Sequence, residues 1–130
     1  MTTPPSACPC GSDRAYTACC GRWHGGEQHL QASDAEALMR SRYSAYVLGL
    51  GDYLRDTWHV STRPAEPFTF DPALRWLGLD VRRHVQPDAG HAVVEFIARS
   101  KLGGRAMRLH ETSRFVREAG RWLYVDGELK

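Results

Sequence analysis

All four cysteines of this chain fall within fourteen consecutive residues, CPCGSDRAYTACCG at positions 8–21, and none occurs elsewhere in its 130 residues. The spacing is C-x-C-x8-C-C, two close pairs separated by a short loop. Zinc takes four tetrahedral nitrogen or sulfur ligands at about 2.0–2.3 Å, and Cys8, Cys10, Cys19 and Cys20 supply a full set. Pro9 limits the backbone between the first two thiols. Gly11 permits the tight turn that aims both of them inward, and Tyr16 would cover the site. Disulfides compete with this reading, since four cysteines allow three pairings. A Cys19–Cys20 bridge would close a strained ring, a Cys8–Cys10 bridge one nearly as tight, and a crossed pairing needs an oxidising compartment. His24 and His29 follow closely and are alternative ligands in place of one thiolate. A site closed by four protein ligands leaves no position for water or substrate. One structural zinc per chain is therefore expected.

Residues 1–26 are rich in Gly, Pro and Cys and nearly free of aliphatic side chains. They cannot bury a core, and a metal would take its place, because metal-binding energy in small zinc modules is also folding energy. The rest of the chain is long enough to bury a core of its own. The expected organisation is a zinc knuckle over 1–26 and a single domain over 33–130.

Ser33 and Glu36 have the spacing of a capping box, which predicts a helix from there to Leu48 with Gly49 as its stop. Ala35, Leu38, Met39, Arg42, Tyr46 and Leu50 fall near one stripe of it, which Arg42 interrupts. Asp52 is expected to cap a second short helix through Trp58. Asp71-Pro72 reads as the start of a third, one or two turns long, ending near Trp76–Gly78. Strands are expected over 77–86, 91–100, 105–117 and 121–126, with turns at Pro87–Gly90, Gly103-Gly104 and Glu118–Gly120. Helices first and a meander after give an α+β class, with the helices on one face of an antiparallel sheet.

The net charge of +2 does not point to nucleic acid. Between Val81 and Trp122, however, nine basic residues face four acids. A solvated sheet face explains this best, and an acidic partner is the alternative. No apolar run approaches the ~18 residues of a membrane span. MTTPPSACPC shows no basic segment followed by an apolar one, so no export signal is expected. The chain is expected in the cytoplasm, where clustered cysteines stay reduced.

CPCGSDRAYTACCG resembles a SEC-C motif, the small zinc knuckle named after the C-terminus of the SecA translocation ATPase, in its Cys-Cys version. LMRSRYSAY (38–46), DYLRDTWH (52–59), WLGL (76–79), ETSRF (111–115) and RWLYVDG (121–127) resemble the YchJ-like bacterial proteins, which join SEC-C motifs to a domain similar to nuclear transport factor 2. That resemblance implies a cone, a bent antiparallel sheet wrapped around N-terminal helices in a cystatin-like roll, with a pocket at its wide end. It implies that the knuckle docks a protein, such as a chaperone, the ribosome or an export component. It also implies possible pairing of two chains through the sheet. Many such proteins carry a second SEC-C motif. This sequence ends at GELK without one, so functions that need two knuckles on one chain are not expected.

The residues also suggest pocket candidates. Alternation places Met107, Leu109, Glu111, Ser113 and Phe115 on one strand face. Glu111 then points inward, where a buried Arg42 would need a carboxylate partner. The first expectation is an Arg42–Glu111 ion pair joining helix to sheet, and the second is a substrate-orienting pair. Tyr46 and His59 complete the set, His59 as a general base or, more simply, as a helix-end cap. His84, His91 and His110 read as sheet-surface positions, and Trp76, Trp122 and Tyr124 as packing aromatics. Three functions remain open: a zinc-dependent interaction protein, which is preferred; a small-molecule binding or enzymatic domain using the pocket; and nucleic-acid binding through the Arg-rich strands. Catalysis is not the favoured expectation.

Overall fold

The computed structural model describes residues 7–130. Residues 1–6, on which part of the expected knuckle and of the export-signal argument falls, lie outside the described residues. A 3-10 turn (Tyr16–Ala18) and a one-turn helix α1 (Gly21–His24) form the cysteine-rich segment. Two helices follow, α2 (Ala35–Leu48) and α3 (Gly51–Asp56), and then four strands, β1 (Leu74–Asp88), β2 (His91–Leu102), β3 (Arg105–Glu118) and β4 (Arg121–Leu129). The strands make one antiparallel sheet in the order β1-β2-β3-β4. None of the helices among the described residues is long and apolar enough to cross a membrane.

Breaks in register bend this sheet. β1 shifts against β2 between Trp76 and Gly78, between Val81 and Arg83 and between Val85 and Asp88; β3 shifts against β4 at Arg114/Phe115. Each bulge adds local twist and curvature. The sheet therefore closes partly around α2, which packs against β1, β2 and β4. The concave face buries Ala92, Val94, Phe96, Ala98, Phe115 and Trp122 against Leu38, Met39 and Tyr43 of α2 and Leu54 of α3. The α+β cone expected from the sequence is the observed fold.

Three local expectations shift. The cap of α2 is Asp34, whose Oδ1 accepts from Ala37 N at 2.7 Å. Counted from Asp34, the third helical position is Ala37, so Glu36 cannot complete a capping box; it pairs with Arg40 at 3.0 Å instead. Gly49 does end the helix, at φ 72°. α3 starts at Gly51 and stops at Asp56, with Asp52 inside its first turn, 3.6 Å from Arg55. Asp71 caps only a turn, accepting from Ala73 N at 2.9 Å, and β1 begins at Leu74. The reason is tertiary. β2 runs on to Leu102, and Leu74, Arg75 and Trp76 find ladder partners in Leu102, Lys101 and Ser100, which outweighs a local helix-start signal.

The loop after α3 is stitched to the sheet's outer strand. His59 N donates to Tyr124 O at 2.7 Å, and Tyr124 N donates to Thr57 O at 2.8 Å. These bonds use up part of the β4 edge and fix Trp58 against the ring of Tyr124, with centroids 4.9 Å apart.

Candidate metal centre and ligand cavity

Hydrogen bonds within the knuckle gather its cysteines. Cys8 N donates to Arg14 O at 2.8 Å, Gly11 N to Cys8 O at 3.2 Å and Cys19 N to Tyr16 O at 3.0 Å. Gly11 has φ 81°, a region that favours glycine. All four cysteines are buried and unbridged, and their sulfurs lie within 4.8 Å of one another. The Cys10 and Cys19 Sγ atoms are 3.6 Å apart, close to the ~3.8 Å edge of a tetrahedron with metal–sulfur bonds of about 2.3 Å. Left to themselves these thiols cannot all ionise. A hydrogen bond from Cys20 pulls Cys10 down to about 4, while that same bond pushes Cys20 up and burial pushes Cys19 up. The donor set fits a thiophilic dication, whose charge would offset four thiolates.

Hydrogen bonds around the sulfurs are made as well. Ser12 Oγ lies 3.1 Å from Cys19 Sγ, and Ser44 Oγ of α2 lies 3.6 Å from Cys8 Sγ. Arg40 Nη1 donates to Cys10 O at 3.0 Å. His24 and His29 do not join the thiols. His24 Nε2 is 2.8 Å from Ser41 O, a carbonyl, so it must carry the proton, and Nδ1 accepts from Tyr16 OH at 2.5 Å. Burial holds this imidazole below its ordinary pKa and so keeps it neutral. His24 also meets Tyr53 edge-on at 4.6 Å, and His29 lies 6.4 Å from that same ring.

The knuckle is thus packed into the domain rather than held by metal alone. Arg40, Ser41 and Ser44 of α2 reach it, and the cysteines and Trp23 share one buried cluster with the sheet residues. The sequence reading passed over Ser41 and Ser44. Ser44 reaches the knuckle through its hydroxyl, while Ser41 reaches it through its backbone carbonyl and turns its hydroxyl to Leu38 O and Tyr53 OH, a division that residue type does not signal.

Gly21 shows how tight this packing is. A Cβ there would lie 2.8 Å from the Tyr16 carbonyl oxygen and 3.0 Å from its ring. Gly21→Ala should therefore lower stability by about 1–3 kcal/mol through overpacking, although alanine is the better helix former. Thermal melts of the metal-loaded protein check the sign.

On the other side of α2 the curved sheet does not close. A cavity of about 290 Å³ remains, walled by Tyr46, Trp58, Trp76, Phe96, Phe115 and Tyr124. Arg42, Glu111 and Ser113 supply its polar atoms. Arg42 is 6% exposed, and its Nη1 donates to Leu54 O at 2.9 Å and Thr57 Oγ1 at 2.7 Å. Its guanidinium carbon lies 4.7 Å from the Tyr124 ring centre and 5.1 Å from that of Trp58. The expected Arg42–Glu111 ion pair is not formed. Among the described residues, no carboxylate oxygen comes within 4.0 Å of Arg42. Glu111 Oε2 instead accepts from Ser113 Oγ at 2.5 Å and Tyr124 OH at 3.3 Å. Its side chain lies flat over Gly127, where a Cβ would sit 2.6 Å from Cδ. Burial pushes the Arg42 guanidinium down and the Tyr46 and Tyr124 phenols up, so both phenols stay protonated donors.

Arg42, Tyr46 and Glu111 therefore share the cavity, and His59 lies outside it. The His59 ring bonds Ser61 Oγ at 2.7 Å and Glu118 at 2.9 Å on the outer surface, because its backbone is turned outward by the ladder to Tyr124. Of the strand face read from alternation, Leu109, Glu111, Ser113 and Phe115 line the cavity, while Met107 is exposed at the sheet end. Trp76 and Tyr124 are cavity walls and Trp122 is core. His91 and His110 sit on the sheet surface, bonded to Asp88 and Glu95. His84 is half-covered, and its buried Nε2 has no partner.

Comparison with known proteins matches residues 34–127 to the family model described as "YchJ, middle NTF2-like domain" and residues 6–22 to the SEC-C motif. A UPF0225 protein of Bordetella parapertussis is 58% identical over 133 residues, covering 100% of both chains. One of Methylibium petroleiphilum is 61% identical, covering 96% of this chain and 90% of its own. The solution structure of a SEC-C motif containing protein from Rhodopseudomonas palustris is similar at TM-score 0.80 and 35% identity, over 95% of this chain and 98% of that one. The crystal structure of one from Psychrobacter arcticus gives 0.77 and 28%, over 96% and 83%.

Proposed function

Given that the chain belongs to the YchJ family, with a SEC-C motif ahead of its NTF2-like domain, we propose that it is a small-molecule binding protein whose ligand enters the cavity between α2 and the sheet. The observation that carries this is the cavity itself. A core of this size packs to near-crystalline density unless it is kept open, and this one is left open beside a buried arginine that has no ion pair among the described residues. Its walls are mainly apolar and aromatic with a few converging polar atoms, the usual make-up of a ligand site. Tyr46, Trp58, Trp76 and Phe96 would enclose an apolar body, and Ser113, Tyr124 and Glu111 would orient its polar end.

The metal in this reading is one zinc, held by Cys8, Cys10, Cys19 and Cys20. Four buried thiolates fill its coordination, so it supplies structure and no open site for chemistry. It clamps the knuckle to one side of α2 while the ligand occupies the other. A reduced thiol set suits the cytoplasm.

Binding of neutral naphthalene, followed by Trp58 and Trp76 fluorescence and by NMR, tests this. Saturable binding that is abolished by Ala98→Phe, which fills the cavity from β2, is the expected result. No binding, or binding indifferent to Ala98→Phe, refutes it.

A docking role for the knuckle is the second reading. It is supported by the solvent-facing Asp13, Arg14 and Thr17 on the loop that covers the sulfurs. It predicts that a co-purifying protein is lost from an Asp13→Ala, Arg14→Ala double variant whose zinc content is unchanged.

A further inference from the structure

Two charged side chains that line the cavity narrow the chemistry of its ligand. One is Arg42, buried and with no carboxylate oxygen within 4.0 Å among the described residues. Its Nη1 is committed to two neutral acceptors, Leu54 O and Thr57 Oγ1. A cation taken out of water needs an anion to offset the loss of hydration, and neutral oxygens and ring faces do so only in part. The other is Glu111, near the same Tyr124 side chain. Its Oε2 is held by Ser113 and Tyr124, and its Oε1 has no protein donor among the described residues. Gly127, which lacks a side chain, leaves the room this carboxylate occupies.

The size of the space and the charge balance restrict the choice further. At about 290 Å³ the cavity is roughly twice the ~150 Å³ that holds benzene. With a glutamate lining the same space, one buried arginine disfavours a phosphate dianion more strongly than a monoanion. A carboxylate is planar and meets guanidinium edge to edge. A purely cationic ligand would meet Arg42 unscreened.

We propose that the ligand is a small monocarboxylic acid with an aromatic or branched apolar body and one hydrogen-bond donor, about the size of an aromatic hydroxy acid. Its carboxylate pairs with Arg42, its body lies among Tyr46, Trp58, Trp76 and Phe96, and its hydroxyl or amine donates to Glu111. This rests on the cavity being a binding site, and the test separates the two.

Full-length, zinc-loaded protein is titrated with phenyllactate, 3-phenylpropionate, 3-phenylpropanol and phenethylamine, read by tryptophan fluorescence and NMR. Phenyllactate should bind best. The neutral alcohol should be weaker than 3-phenylpropionate by roughly tenfold or more, the scale of one charge-assisted hydrogen bond, and the amine weakest. Arg42→Met should erase the preference for acid over alcohol while leaving the alcohol's affinity within about threefold. Arg42→Lys should keep part of the preference, because it keeps the charge and loses the fork. Glu111→Gln should erase the advantage of phenyllactate over 3-phenylpropionate. Melting curves confirm that each variant is folded, and Arg42→Lys carries the test if Arg42→Met is not. Equal binding of alcohol and acid overturns the carboxylate assignment but leaves the cavity as a binding site. No cavity signal from any of the four probes overturns both.

Discussion

Stripping the metal, by chelation or by Cys10→Ser, is expected to lower the melting temperature by roughly 15 °C. A ligand bound only to the folded state stabilises it by about 4 kcal/mol when present at a thousand times its Kd. In a chain of this size each kcal/mol moves Tm by roughly 4 °C. The loss should not stay within the knuckle. Ser41, Ser44 and Arg40 of α2 bond the knuckle directly, at His24, Cys8 and Cys10, and the cysteines share the domain's buried cluster. Amide exchange should therefore quicken along α2 as well as over residues 8–24, and affinity for the cavity probes should fall with it. Elemental analysis before and after chelation should give one zinc per chain and then none. An unchanged Tm with full loss of zinc, or faster exchange confined to the knuckle, would show that the metal does not clamp the helix.

Gly127→Val should destabilise the protein by about 1–3 kcal/mol, against the usual rule for strands. Glycine inside a strand weakens it, and valine is among the better strand formers, so propensity alone argues for a gain. Here Glu111 lies across the glycine. A Cβ would sit 2.8 Å from Glu111 Cγ and 2.6 Å from Cδ, so the carboxylate must leave its seat. Swinging this flexible side chain aside costs little by itself; the loss is in the bonds it leaves behind. Ser113, 1% exposed, would lose its acceptor, which costs about 1–3 kcal/mol for a buried hydroxyl left unpaired. The signature is non-additivity. Adding Glu111→Ala to Gly127→Val should recover more than 1 kcal/mol relative to the sum of the single changes, as a double-mutant cycle in urea would measure. Additive losses, or a stabilised Gly127→Val, would show that the Glu111 seat is not tight.

Several features were legible because their causes are local. The four cysteines lie within fourteen residues, so spacing and thiol chemistry suffice to propose them as metal ligands. Gly49 as the stop of α2 and the turns at Ala89-Gly90, Gly103-Gly104 and Ala119-Gly120 follow from backbone freedom. Alternation along β3 placed Met107, Leu109, Glu111, Ser113 and Phe115 on the inner face, and all but the exposed Met107 line the cavity there. Where two signals competed over one or two residues, as between Ser33 and Asp34 at the cap of α2, the sequence pattern missed by one position. Only the way the chain enters the helix settles which side chain reaches the free N–H groups.

The partners of the inward polar groups were a different matter. Sequence reasoning required an anion for Arg42 and offered Glu111. The fold instead gives Arg42 the Leu54 carbonyl, Thr57 and two aromatic rings, and gives Glu111 two hydroxyls and a glycine. His59 was a candidate by residue type, and the ladder between Thr57–His59 and Tyr124 turned it outward. Sequence alone determined that the chain carries a four-thiol centre and a helix-on-sheet α+β domain, because ligand spacing and hydrophobic period are written over short stretches. The tertiary structure alone decided that α2 is a wall shared by two sites, with the Ser44 hydroxyl and the Ser41 carbonyl meeting the knuckle and Arg42 and Tyr46 lining a cavity left open by a bulged, curving sheet. That depends on contacts between residues up to about 85 positions apart, made once the strands have paired and the sheet has bent.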